Sequence, residues 1–538
     1  MESKKEEIKP EEKKSEEKKT EEKKEEQKKT EEKKIEDKRP EQNKSEEKKP
    51  EEKKPEEKKT EEPKKEEPKP EESKPQESKP QEKKEEIENE KIELEEKNII
   101  TLQDIENYKK EYDLKPMNRI IQNVLAKNKI SKTIKINDTR VYNRHIFQFD
   151  IPTMRATNQQ SSGRCWIFAG LNILREIVGK KLKISDFELS QNYIAFYDKF
   201  EKINYTLENI IELCPRDYDD RTLCHVLKEG VQDGGQWDMF ANIVKKYGVV
   251  PKVAMDETEQ SSNTREGNFV ISNTLRKFAG KASKLYREGK LEEIQNEKKI
   301  ILSKLFNFLC MCYGKPVEKF NFEYTDSSRK YHFEKDLTPL SFYKQYLEGV
   351  IDQYVSIINA PTPSKPFYNL YTVKYIGNVI GGKKITYINL PMNEFKELCI
   401  KQLKSGELIW FGSDSGKYRD DMAVWDDEMY DYKNVFDLDM KIEKGDMLDY
   451  QVSAMDHAMV ITGVSFKEEG KPGKWKIENS WGPDKNNGGY YLMTDSWFDN
   501  FVYQAVINKK HLSKEQLEVL DKKYIELEPW DPMGTLAL

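Results

Sequence analysis

Cysteine is scarce in this 538-residue chain, long apolar runs are missing, and no single sign of charge dominates. The cysteines are Cys165, Cys214, Cys224, Cys310, Cys312 and Cys399, with no CxxC pair among them. Neither a disulfide framework nor a zinc site is expected, and the thiols read as reduced. No stretch approaches the roughly 18–20 apolar residues that span a bilayer. The opening residues are a charged string without the basic-then-apolar order of a secretory signal. A cytoplasmic protein with no membrane role is the expectation. Of the 93 basic and 99 acidic residues, 31 and 37 fall within residues 1–100, which leaves 62 of each in the remaining 438. A balanced body lacks the one-signed field that nucleic-acid binding leaves in composition, so nucleic acid is not an expected partner.

What is present divides the chain in two. From Glu11 to about Lys84 a unit of Glu-Glu-Lys-Lys followed by Ser, Thr, Glu or Pro repeats every five residues. Such a repeat keeps no constant helical face and buries no apolar surface, so residues 1–98 are predicted to be a disordered Lys/Glu/Pro-rich tail serving as a solvated spacer. The body is about 42% apolar, an ordinary globular fraction, and a folded domain is predicted over 99–538. Thr101 is placed to cap a helix through Asp104, and Met117–Leu125 reads as a second helix; both are expected to pack. Two amphipathic helices are expected over Leu275–Tyr286 and Leu291–Cys310. Strand signals come later, at Ala458–Val464, Trp475–Asn479 and Gly489–Met493, the first two joined by a turn over Glu469–Gly473. Helices followed by antiparallel strands make an α+β protein.

The window Asn158-Gln159-Gln160-Ser161-Ser162-Gly163-Arg164-Cys165-Trp166 runs from a glycine-containing turn into an amphipathic helix. Cys165 then sits at a helix N-terminus, where unpaired N–H groups favour an anion and the thiol is expected to ionise readily, as a nucleophile requires. The Gln159 amide can reach back over the turn and, with the Cys165 N–H, hold an oxyanion. Among His145, His225, His332, His457 and His511, His457 lies at the mouth of a strand and Asn479 ends the next. Antiparallel pairing brings these two together, with Asn479 orienting the imidazole and its other nitrogen facing Cys165.

These windows, with Asp456-His457-Ala458 and Asn479-Ser480-Trp481-Gly482, resemble the papain superfamily of cysteine peptidases. Ser161–Phe168, Glu188–Gln191, Asp233–Met239 and Pro529–Gly534 are similar to the bleomycin hydrolase and aminopeptidase C branch, over about Asn118 to Leu538. Papain-like peptidases place the histidine about 130–150 residues after the cysteine; His457 comes 292 later, so helical insertions are expected. The resemblance implies a papain-like two-lobed fold, a helical lobe carrying the cysteine and an antiparallel β lobe carrying histidine and asparagine. It implies no metal or cofactor, and a barrel-shaped homohexamer with active sites facing an inner channel. It further implies that Trp481 shields the His457–Asn479 hydrogen bond. The arm over 528–538 would lie in the cleft, with Ala537 and Leu538 meeting the free amino group of a peptide substrate. The chain departs from the pattern at Thr535, where alanine is expected, and at Asp456, whose charge is expected to favour imidazolium and raise the upper pH limit. The function implied is a cytosolic cysteine aminopeptidase working through an acyl-enzyme. The alternatives are a catalytically silent scaffold, or an endopeptidase if the arm does not block the cleft.

Overall fold

The computed structural model describes residues 98–139, 143–420, 423–468 and 470–537. The predicted tail, apart from Asn98, lies outside these residues, as does Leu538. The chain divides into units of residues 1–100 and 101–538, and the second is described here. Thr101 caps α1 (Leu102–Leu114): its hydroxyl accepts the Asp104 N–H at 3.2 Å, and the Asp104 carboxylate accepts the Thr101 N–H at 2.9 Å. The second predicted helix is α2 (Pro116–Leu125). Both form where expected, yet neither has a buried residue, and Met117, Ile120 and Val124 stay exposed. They are not the packing helices anticipated, because periodicity defines an apolar face and not what covers it.

The helical layer consists chiefly of α3 (Cys165–Leu182), α4 (Gln191–Leu213), α5 (Trp237–Tyr247), α6 (Arg265–Arg287) and α7 (Leu291–Tyr313). The last two pack on each other and on α4, and each extends past the span read from sequence. Helix α3 is apolar on nearly every side and buried along most of its length, as a helix enclosed by other elements must be.

An eleven-stranded sheet stands against these helices among the described residues. Its central run uses β1 (Tyr354–Ile358), β2 (Ile409–Ser413), β3 (His457–Glu468), β4 (Lys471–Glu478), β5 (Tyr490–Thr494) and β6 (Val502–Asn508). Their order is β1-β6-β2-β3-β4-β5, antiparallel throughout. Outside this run the sheet is mixed, since Val424–Trp425 pairs parallel with β5 and Tyr387–Asn389 parallel with β1. The β3–β4 turn is tighter than the sequence suggested: β4 starts at Lys471, and the register shifts around Pro472, which has no N–H to donate to the ladder.

Helix α3 is pinned across β2 and β3. The Trp410 indole donates to the Trp166 carbonyl at 3.2 Å. Deeper along the helix, Arg175 meets Glu478 of β4 at 2.9 Å, both buried, and Asn172 donates to the same carboxylate oxygen at 2.9 Å. The cysteine helix is thus tied to the strand that ends one residue before Asn479.

Candidate active site

The turn before α3 is held from the β layer. Gln159 donates its backbone N–H to the Ser480 carbonyl at 2.8 Å, and Gly482 returns a bond to the Thr157 carbonyl at 3.0 Å. Gln160 adopts a left-handed conformation (φ 54°), which turns the chain toward the helix start. The Gln159 side-chain carbonyl accepts the Ser480 hydroxyl at 2.5 Å, while its amide donates to the Ser162 carbonyl at 2.7 Å. That amide has two hydrogens, so one remains for a ligand. Ser480, which the sequence reading did not single out, therefore sets the Gln159 rotamer.

His457 opens β3, and Asn479 follows β4 directly. The hairpin closes their 22-residue separation to a 2.9 Å hydrogen bond between His457 Nε2 and Asn479 Oδ1. The Ser480 N–H also donates to Asn479 Oδ1, at 2.8 Å. Because a backbone N–H can only donate, the atom it faces must be the amide oxygen, and His457 Nε2 must then carry the hydrogen. Nδ1 is left as the basic nitrogen. Trp481 stacks on the imidazole, with ring centroids 5.0 Å apart, and Arg419 lies over the Trp481 ring at 5.1 Å from its centroid. The Ala458 N–H, next along β3, points to Cys165 Sγ at 3.4 Å. The structure thus gathers Cys165, His457, Asn479, Gln159 and Trp481 in one place.

Electrostatics at the site differ from the expectation of a readily ionised thiol. Burial pushes the Cys165 thiol up to about 12, against the N–H groups of Ala458, Trp166 and Cys165 itself, which favour the anion. Burial likewise lowers His457 to about 4, with the Asn479 hydrogen bond opposing and Arg419 adding to the effect. The helix end does favour a thiolate, but complete burial outweighs it. Asp456 also acts otherwise than expected: its carboxylate accepts the Ser415 N–H at 2.7 Å, and its charge raises the Cys165 pKa.

The last described residues enter the cleft. Trp530 stacks under Arg221 at 3.8 Å, and Asp531 pairs with buried Lys365 at 2.9 Å. Gln236 donates to the Thr535 carbonyl at 2.8 Å, and the Gly235 N–H donates to the Ala537 carbonyl at 3.3 Å in an antiparallel bridge. Ala537 is fully buried. Gly235 rests against the indole of Trp166, one residue past Cys165; a Cβ there would lie 2.4 Å from that ring. Trp530 and Thr535 line two cavities, one of about 440 Å³ that also touches Asp456, and one of about 340 Å³ reaching Tyr205 and His225.

Comparison with known proteins identifies the relatives of this chain. The model of the Peptidase C1-like family matches residues 99–534. Aminopeptidase C of Lactobacillus delbrueckii subsp. lactis is 42% identical over 443 residues, covering 81% of this chain and 98% of that protein. Bleomycin hydrolase of Mus musculus is 39% identical over 405 residues, covering 73% of this chain and 89% of that protein. The crystal structure of PepW from Lactobacillus rhamnosis HN001 superposes with a TM-score of 0.80 at 42% identity, covering 82% of this chain and all of that one. The chain belongs to the Peptidase C1-like family, in its bleomycin hydrolase and aminopeptidase C branch, and is a cysteine peptidase.

Proposed function

We propose that the protein is a cysteine aminopeptidase that removes N-terminal residues from peptides. The observation that carries this reading is the bridge between Gly235 and Ala537. It is the main-chain contact an extended peptide would make beside the cysteine helix, and here the protein's own last residues make it. An occupied cleft leaves room for a short piece of substrate only, and the names of the relatives, aminopeptidase C among them, agree.

In the proposed cycle Cys165 Sγ attacks the first peptide carbonyl carbon while His457 Nδ1 takes the thiol proton. Transfer during attack suits a thiol and an imidazole that burial keeps neutral. The free Gln159 amide hydrogen and the Cys165 N–H hold the oxyanion. The C–N bond breaks as His457 returns its proton to the leaving amine, and water then releases the acyl group from sulfur. Asn479 keeps the imidazole in one tautomer, and Trp481 covers that bond. The arm, through Ala537 and Leu538, would meet the free amine of the substrate.

Cytoplasmic residence and a homohexamer belong to the same proposal. Six free cysteines suit a reducing compartment, and the apolar side chains exposed on α1 and α2 suit association. No helix among the described residues is long and apolar enough to cross a membrane. The deciding experiment pairs a fluorogenic free-amino aminoacyl amide with its N-acetylated twin, in reductant, for the natural protein and Cys165→Ala. Cleavage of the free-amino compound alone, abolished by the substitution, is expected. Cleavage of both compounds makes the protein an endopeptidase; cleavage of neither by folded, reduced protein makes it a scaffold.

A further inference from the structure

Behind the cleft lie four buried charges that the proposed cycle leaves unused: Asp198, Lys199 and Lys202 on α4, and Asp233 in the loop before α5, exposed by 1%, 2%, 4% and 5%. They pair as Lys202–Asp198 at 2.7 Å and Lys199–Asp233 at 2.5 Å. Burying ion pairs is a poor way to gain stability, since apolar residues of the same volume do as well or better. What charges supply and apolar groups cannot is directed hydrogen bonding to backbone.

Both pairs continue into the backbone around the cleft. Beyond Asp198, the Lys202 ammonium donates to the Gly234 carbonyl at 2.6 Å and, at longer range, to the Gln232 and Asp233 carbonyls at 3.2 and 3.4 Å. On the other side, Asp233 Oδ2 accepts the Gly163 N–H at 3.0 Å, two residues before Cys165. The Asp233 carboxylate is further held by the Thr264 hydroxyl and by Asn268 at 3.0 Å. Burial alone would raise its pKa, but Lys199 and these donors hold it well below the usual carboxylate range. The Trp166 indole donates to the Asp233 carbonyl at 2.7 Å, closing the unit around the start of α3. One end of this cluster grips the turn that delivers Cys165; the other grips the loop whose Gly235 bridges Ala537.

We propose that Lys202 and Asp233 are positioning residues that fix the separation between the Cys165 nucleophile and the Ala537 end of the arm, and so fix where on a peptide the cut falls. The inference rests on the aminopeptidase reading for its second half only. A displaced arm lets acetylated peptides in; a displaced turn changes the reactivity of Cys165.

The test uses the full chain with Lys202→Met, which keeps the stem and removes the charge, and Lys202→Arg, which keeps the charge. Two readouts are taken: the ratio of acetylated to free-amino cleavage, and the rate of Cys165 alkylation by iodoacetamide, read by mass spectrometry on the Cys165 peptide. With Lys202→Met the free-amino kcat is expected to fall about tenfold or more, the cleavage ratio to rise about threefold or more, and alkylation to change by a similar factor, since small displacements of reacting groups are costly. Lys202→Arg is expected to restore most of each. If both substrates slow equally and alkylation is unchanged, the cluster is merely structural and the proposal is overturned. Should Lys202→Met not fold, Asn268→Ala, which leaves no charge unpaired, decides by the same two readouts with smaller shifts in the same directions. If the natural protein cuts both substrates alike, the aminopeptidase reading falls, and the alkylation rate still judges the hold on Cys165.

Discussion

The chemistry at His457 depends on one oxygen. Asn479 Oδ1 accepts from both the Ser480 N–H and His457 Nε2, which leaves Nδ1 as the nitrogen without a hydrogen. Asn479→Ala removes the acceptor and frees the ring to turn, and is expected to lower kcat about 10- to 100-fold with KM little changed, a part of what general acid–base catalysis contributes. Steady-state kinetics with the free-amino amide checks this. The pH dependence of stability follows from the same residues. His457 is depressed from 6.5 to about 4, so its contribution is complete above 6.5 and is lost as pH falls toward 4. Cys165 is raised from 9.0 to about 12, so its contribution is complete below 9 and is lost as pH rises toward 12. The stability difference between the natural protein and Cys165→Ala should therefore shrink between pH 9 and 11, by up to about 1.4 kcal/mol per pH unit. Denaturant melts of the two proteins measure it, and a difference that rises with pH below 9 and stays flat above it would mean that Cys165 rests as a thiolate.

At the scale of elements, the site depends on how α3 meets the β3–β4 hairpin. The Arg175–Glu478 pair joins them inside the protein, and burial raises the Glu478 pKa to about 7 despite Arg175. Arg175→Met leaves that carboxylate without a cation and is expected to cost about 3–5 kcal/mol at pH 8. Glu478 can escape by protonation, so the loss should be smaller at pH 6, as urea midpoints at the two values will report. The same hairpin shows how far the sequence could be read. The strand runs after His457 and before Asn479, with a turn between, were legible because β-branched and aromatic residues gave way to Glu-Gly-Lys-Pro-Gly. Their register was not, because the shift at Pro472 depends on which neighbours lack a donor. Helices α1 and α2 were legible from capping and periodicity, while their exposed faces were not.

For the whole molecule, the arm is the part whose removal is most telling. Truncation after Asp531 spares the Lys365 ion pair and the Arg221–Trp530 stack, yet deletes the residues bonded to Gly235 and Gln236. The shortened protein is expected to stay folded and to gain cleavage of N-acetylated and internal peptide bonds, seen by mass spectrometry of digests. No gain would remove the arm from the account of specificity.

The sequence by itself determined the family and the α+β class, because those rest on residue types at short, rigid spacings around Cys165, His457 and Asn479. Tertiary structure alone decided the ionisation of the site, since burial of Cys165 and His457 outweighs the helix end that composition and position reveal. It alone placed Ala537 against Gly235, and joined Asp233 and Lys202 to both sides of the cleft. Contacts between segments tens to hundreds of residues apart are set by packing, and a pattern read along one chain carries no record of which distant face will meet it.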